Sequence, residues 1–311
     1  MHNRKCFASH MGIWAIEPLW MRGALRSAQM GTLNARAAMD APTTADMENI
    51  AKRDDEYRMA AGASKVIRDG YNLLYEVRDG VATIAIDGPM AKFDSKYGGT
   101  NTVRTSKALR QAASDGDAGA ILLLVDSPGG NSAGTMELAA DVRAAGESKI
   151  LHAFGDDMLA SAAYWVASQA QKVFANEMAM IGSIGTYAVL YDQSKAAEME
   201  GVKVHVISTG ELKGSGEPGT EVTPAKLEYV QVLVNDINAQ FLKGVSAGRG
   251  DRVNLKEVTD GRVWIAAKAK KLGLIDAIST MDAVHAELAE KVARKARARG
   301  AEARLRLAEL E

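Results

Sequence analysis

Residues 120–125 read Ala-Ile-Leu-Leu-Leu-Val with no polar interruption. An apolar run of that length, closed by turn residues, suits a buried strand better than a helix. The run ends in Asp126-Ser127-Pro128-Gly129-Gly130, where Pro presets φ and Gly admits backbone conformations closed to other residues. Helical patterns flank it at 105–113 and 135–145, the second with Met136, Leu138, Ala139, Val142 and Ala145 along one stripe. Strand patterns recur at 81–86, 149–154 and 172–175. Strands alternating with helices at this interval predict repeated β-α-β units in an α/β fold.

The remainder divides by texture. Residues 35–70, rich in Ala, Asp, Met and Arg, read as weak helix and linker. The pattern predicts a helix over 160–171, a short strand over 202–207 and then a Gly-rich loop running to Pro224. A long helix is expected over 225–245, with Leu227, Val230, Leu233, Val234, Ile237 and Phe241 on its inner face. A closing strand-helix segment follows at 261–276, and residues 291–311 have the composition of a solvated or partner-seeking helix. The expected organisation is an N-terminal arm and linker (1–70), a main domain (71–280) and a C-terminal charged helix (281–311).

Composition removes several function classes. A chain of 311 residues with 47% hydrophobic content can bury a sizeable core, and a net charge of −1 gives no footprint for nucleic acid. The single cysteine, Cys6, excludes an internal disulfide and a cysteine-based metal cluster, and fits a reducing cytoplasm. The apolar segment at 13–20 is broken by Glu17 and Pro18 and followed by Arg22 and Arg26. It falls short of the roughly 20 apolar residues that span a bilayer, and it lacks the form of a signal peptide. A soluble, cytoplasmic protein is therefore expected. Metal and nucleotide motifs are missing from the sequence, so neither a metal nor another cofactor is expected. Arg294, Lys295, Arg297, Arg299, Arg304 and Arg306 are interleaved with Glu302 and Glu309 and lack aromatic neighbours, which favours a solvated helix over a nucleic-acid surface.

Four motifs carry the chemistry: the strand-Ser127-Pro128-Gly129-Gly130 turn, Ala160-Ser161-Ala162-Ala163-Tyr164, Ile181-Gly182-Ser183-Ile184-Gly185, and Lys213 in a Gly-rich loop. In this order, from about residue 81 to about 278, the chain resembles the signal-peptide-peptidase (protease IV) family of serine peptidases. The resemblance implies a Clp-protease/crotonase-like fold and a Ser-Lys dyad. By position it makes Ser161 the nucleophile, Lys213 the general base, Ser183 the hydroxyl that helps hold the lysine, and Gly129 and Gly130 the oxyanion turn. It also implies an endopeptidase that needs no cofactor, acts on protein or peptide substrates and assembles as a homo-oligomer.

The chemistry is coherent, since a serine hydroxyl attacks only when a base takes its proton. Lysine can be that base when its amine is neutral, a state that desolvation favours. Each residue also has a plain reading. Ser161 fits an ordinary N-cap, Ser183 a local partner for backbone groups, and Lys213 a solvated loop residue, which only the resemblance selects over Lys203, Lys226 or Lys243. A tight turn at Gly129 and Gly130 is compatible with an oxyanion role. Because the Clp proteases use a Ser-His-Asp triad, His152 or His205 with Asp156, Asp157 or Asp192 is the competing arrangement. Both histidines sit at ordinary strand positions, and the place where the Clp-type histidine follows the serine helix holds Ile181 to Thr186 without one.

Trp14-Ala15-Ile16-x-Pro18 is similar to the start of phage and prophage head-maturation proteases of this family. That implies processing of scaffold, portal or capsid proteins, a prohead-associated location and self-shortening at a terminus. Degradation of cleaved signal peptides is the alternative role. From another class, a crotonase-type acyl-CoA enzyme would share the fold and the turn but have no use for the Ser161 and Lys213 pair, and a non-catalytic assembly protein would retain the fold alone.

Overall fold

The computed structural model describes residues 14–16, 44–95 and 98–308. After a short strand β1 (Trp14–Ile16) comes helix α1 (Thr44–Ala60), which buries only Ala51. Ion pairs hold it instead. Arg58 bridges Asp54 and Glu76 at 2.8 Å each, and Arg68 reaches back to Asp54 and Asp55. These charges dock α1 on an antiparallel meander of β2 (Lys65–Asp69), β3 (Asn72–Arg78) and β4 (Val81–Asp87). The sheet thus begins ahead of the boundary expected at residue 71, and β2 and β3 were not legible as strands.

From β4 onward the sheet runs mainly parallel. The chain continues through β5 (Met90–Ala91), β6 (Thr100–Asn101) and α2 (Thr102–Ser114), whose N-cap Asn101 side chain accepts the Arg104 N–H at 3.0 Å. Then follow β7 (Ala120–Ser127), β8 (Gly129–Asn131), α3 (Thr135–Ser148), β9 (Ile150–Ala160), α4 (Ala162–Ala167), β10 (Lys172–Ala175) and β11 (Met180–Gly182). The last part comprises α5 (Ser194–Met199), α6 (Pro224–Arg249), α7 (Leu255–Val258), β12 (Val263–Ile265), α8 (Ala266–Lys271), β13 (Ala277–Ile278) and α9 (Met281–Ala308). The main sheet has the order β12-β11-β9-β7-β4-β3-β2, with β10 joining β9 to β13, and a small second sheet runs β1-β8-β5-β6. The α/β class and its β-α-β units are as expected.

Strand β7 explains the layering. Ile121, Leu123 and Val125 face a core shared with Leu109 of α2 and Leu138 and Val142 of α3. Ala120 and Leu122 face the other way, onto Phe154, Phe174 and the α9 residues Val284 and Leu288. Period-two alternation in an all-apolar strand fills both faces, which is why the run carries no polar residue. The start of α9 is therefore part of the core and not an appendage.

Four expectations are corrected. Residues 202–207 form no strand: their backbone finds no sheet edge, and Val202, Val204, Val206 and Ile207 are exposed. On α6 only Phe241, Val245 and Arg249 are buried, while Leu227 and Leu233 of the expected inner face are exposed. Met136 is likewise exposed on the α3 stripe. The serine helix is shorter than expected, ending at Ala167, because residues 168–170 turn on the bonds Gln169 N–H to Val166 O and Ala170 N–H to Ala167 O.

Arg249, in the last turn of α6, is a buried cation and is fully engaged. It donates to Asp276 at 2.8 Å and to the Gly273 carbonyl at 2.8 Å and 3.0 Å, while Asp276 also accepts the Val173 N–H at 2.7 Å. Burial alone would raise the Asp276 pKa, but the bonds from Arg249 and Val173 and the charge of Arg252 outweigh it and hold the carboxyl below its usual range. Replacing Arg249 by Met removes the buried partner of that carboxylate, leaving it the exposed Arg252 at 3.3 Å, and should destabilise the fold by about 3–5 kcal/mol, read from urea unfolding at neutral pH.

His152 is buried beside the Phe174 ring, with centroids 5.3 Å apart. Burial, aided by the nearby Lys291 charge, lowers its pKa to about 4 from 6.5. The unfolded chain therefore takes up the proton first, so stability should fall as pH drops from about 6.5 to about 4 and level off below. In His152→Leu the urea midpoint should lose that part of its pH dependence.

Candidate active site

The site forms where β7, β9 and β11 end together. The pairs Ser127 with Leu159 and Gly182 with Ala160 set Ser161 between the Ser127–Gly130 turn and the Gly182–Ser183 turn. The Ser161 N–H donates to the Gly182 carbonyl at 2.8 Å, and the Ser183 N–H to Arg262 O at 2.8 Å. A bulge fixes this register. Between the pairs Val125–Gly155 and Ser127–Leu159, β9 carries extra residues, and Asp126 pins them by accepting the Met158 N–H at 3.0 Å. Burial, with the charges of Asp157, Asp87 and Asp156, raises the Asp126 pKa against that hydrogen bond. Sequence reasoning passed over Asp126, although its place directly after the apolar run marks the strand end.

Ser161 stands at the N-cap of α4 with φ 54° and ψ −122°, and its side chain makes no capping bond. Such a conformation costs a non-glycine residue about 1–3 kcal/mol. Among the described residues only Asp79, Ser161 and Ser183 combine a side chain with positive φ, and two of these three are neighbours here. The Ser161 Oγ is buried and has no hydrogen-bond partner among the described residues. Its support is rigid, since every residue of α4 is buried, Tyr164 donates to Leu274 O at 2.8 Å and Trp165 stacks on Phe241.

The opposite wall is the glycine turn. Ser127 donates to Gly88 O at 2.6 Å and accepts the Gly129 N–H at a long 3.2 Å. Gly129 has φ 92°, and a Cβ on Gly130 would lie 2.0 Å from Met90 O, so no other residue fits where β8 runs against β5. Ser161, Ser183, Gly129 and Gly130 are thus brought together.

Lys213 is not joined to them. It lies exposed in a turn closed by its own N–H to Gly210 O at 3.1 Å, and its ammonium has no hydrogen bond or ion pair among the described residues. The triad candidates do not assemble either. His152 pairs with Leu122 while Leu159 pairs with Ser127, which sets His152 five β7 residues, about 16 Å at strand rise, from the strand end that leads into Ser161. His205 is exposed, Asp156 and Asp157 bond Asn176, and Asp192 bonds Ser194 and Val222. No group of side chains suited to a metal occurs among the described residues, and no described helix is long and apolar enough to cross a membrane.

Comparison with known proteins gives these features a setting. Residues 144–295 match Peptidase family S49. A putative protease of Methanocaldococcus jannaschii is 30% identical over 161 residues, 51% of this chain and 52% of that protein. Capsid assembly protease C of Escherichia phage lambda is 29% identical over 231 residues, 73% of this chain and 53% of the phage protein. Protease 4 of Haemophilus influenzae is 27% identical, covering 67% of this chain and 34% of its own. The chain spans about half the length of the first two. Among solved structures, a ClpP1 mutant from Listeria monocytogenes aligns with a TM-score of 0.41 at 14% identity, over 64% of this chain and 92% of that one. The stretch that contains Ser161, Ser183 and Lys213 thus matches the model of peptidase family S49.

Proposed function

We propose that this chain is a serine endopeptidase in which Ser161 attacks the peptide carbonyl and Lys213 takes its proton. The observation that carries the reading is Ser161 itself: a strained backbone holds a buried hydroxyl with no partner among the described residues, inside the stretch that matches peptidase family S49. A strained, unsatisfied group on a rigid support is the kind of position that function maintains against stability. As the Oγ–C bond forms, the carbonyl oxygen becomes an oxyanion facing the Gly129 and Gly130 amides, of which the first makes a long bond to Ser127. Lys213 then gives the proton to the leaving amine, and water releases the acyl-enzyme by the reverse sequence. Ser183 supplies a hydroxyl to hold the lysine.

The lysine reaches the serine through assembly in this proposal. Lys213 belongs to an exposed segment whose Val204, Val206 and Ile207 lack cover, next to a helix whose Leu227, Tyr229, Val232 and Leu233 are also exposed. These apolar faces fit a second copy of the chain, which would enclose Lys213 against the Ser161 cleft of its neighbour. The substrates proposed are scaffold, portal or capsid proteins of a phage head. The lambda capsid assembly protease supports this, because its likeness covers 73% of the chain and so extends beyond the family segment.

Ser161→Ala and Lys213→Ala should each lower casein hydrolysis by about a thousandfold or more, and the double variant no further, since the two act as a unit. Lys213→Arg should fail as well because guanidinium stays protonated. Mixed before assembly in equal amounts, Ser161→Ala and Lys213→Ala chains should recover about a quarter of wild-type activity if each site draws on two copies. Wild-type rates in either single variant would remove the dyad. An inactive mixture would place both groups on one chain. Portal and major capsid genes beside the coding sequence are the expected setting for the substrate role.

A further inference from the structure

Strand β8 carries the Gly129 and Gly130 amides and has two edges. Strand β5 takes one of them in parallel, with Met90 opposite Gly130. The other edge is taken by the chain's own β1, antiparallel, with Trp14 opposite Asn131, Ala15 opposite Gly130 and Ile16 opposite Gly129. Helix α4, which Ser161 begins, packs against the same β8.

An extended peptide presented to a nucleophile beside a strand end is held by main-chain hydrogen bonds to that strand's open edge. Here one edge of β8 is closed by β5, so the only edge at which a peptide can pair with β8 is the one on which Trp14–Ile16 lies. The register makes the overlap direct, because Ala15 and Ile16 stand opposite Gly130 and Gly129, the two glycines of the proposed oxyanion turn. A segment tethered to the domain competes at a local concentration of order mM, enough to hold off dilute peptide without strong contacts of its own.

We propose that Trp14–Ile16 is an internal competitor for the substrate strand, so that the chain blocks its own β8 edge until this segment is displaced by an extended polypeptide. The proposal rests on the peptidase reading of Ser161 for its consequence in catalysis, while strand exchange at β8 is a binding event that needs no chemistry.

The test therefore has two arms on the full-length chain. In the first, a dye-labelled synthetic peptide of residues 12–18 is titrated by fluorescence anisotropy against Ser161→Ala and against Ser161→Ala carrying Ala15→Pro and Ile16→Pro. Successive N–H groups point to opposite edges of a strand, so proline at both positions removes whichever of the two β1 turns toward β8. The peptide should bind the proline variant at least about tenfold more tightly than the intact strand allows. Equal binding to both, or binding to neither, overturns the proposal. In the second arm, Ala15→Pro with Ile16→Pro in the active chain should lower KM for an extended peptide substrate with kcat unchanged. An unchanged or raised KM at an unchanged melting midpoint overturns it. If peptide exchange occurs and no chain cleaves any substrate, the peptidase reading fails and the strand competition stands.

Discussion

The parallel pairing of β7 with β9 is the constraint from which the site descends. Its register is straight from Ala120 with Ile150 to Val125 with Gly155, and then breaks so that Ser127 meets Leu159. Before the break β9 supports β10, and after it β11, so one strand serves two branches of the sheet. A bulge that re-aims a strand end beside a reactive side chain is a common device at functional sites. Here it brings the end of β9 up to the Gly182–Ser183 turn while the Ser127–Gly130 turn closes from the other side. Asp126, one carboxylate accepting one amide, fixes where the slip occurs.

Legibility in the sequence followed the reach of the interactions involved. The β7 run, the Pro-Gly-Gly turn and the helices α2 and α3 were readable because local periodicity and turn chemistry decide them. Strands β2 and β3 were not, since β2 is only half buried and is paired and ion-bridged to partners outside its own segment. The valine alternation of residues 202–207 promised a strand, but a strand is a pairing, and no edge is available to it within the described chain. The apolar stripe of α6 failed for the same reason: periodicity identifies a face without saying what covers it. Ser161, Ser183 and the two glycines were placed by resemblance, and their meeting depends on pairings that no window of sequence contains. The positive φ of Ser161 and Ser183 was invisible in the sequence, because it goes with bonds that their N–H groups donate to the carbonyls of Gly182 and Arg262, residues far from them in the chain.

Charge is used sparingly inside and freely outside. Arg249 is the one fully buried cation in the described core, and every contact it makes ties separate pieces of backbone together. Surface pairs such as Arg110 with Asp141 contribute little by comparison. Around α1 the ion pairs are numerous and the apolar burial is almost nil, so that helix is orientated by charge and will loosen as salt screens it.

Helix α6 behaves mechanically as a cantilever. Phe241, Val245 and Arg249 clamp its final turns, while the half nearer Pro224 rests on little. Its root grips the Gly273 carbonyl, the next residue Leu274 holds the Tyr164 hydroxyl, and Trp165 lies flat on Phe241. A load on the free end is therefore delivered as torque to the short helix whose first backbone bond is the Trp165 N–H to Ser161 O contact. Whatever leans on the outer half of α6 leans, through this lever, on the geometry of Ser161.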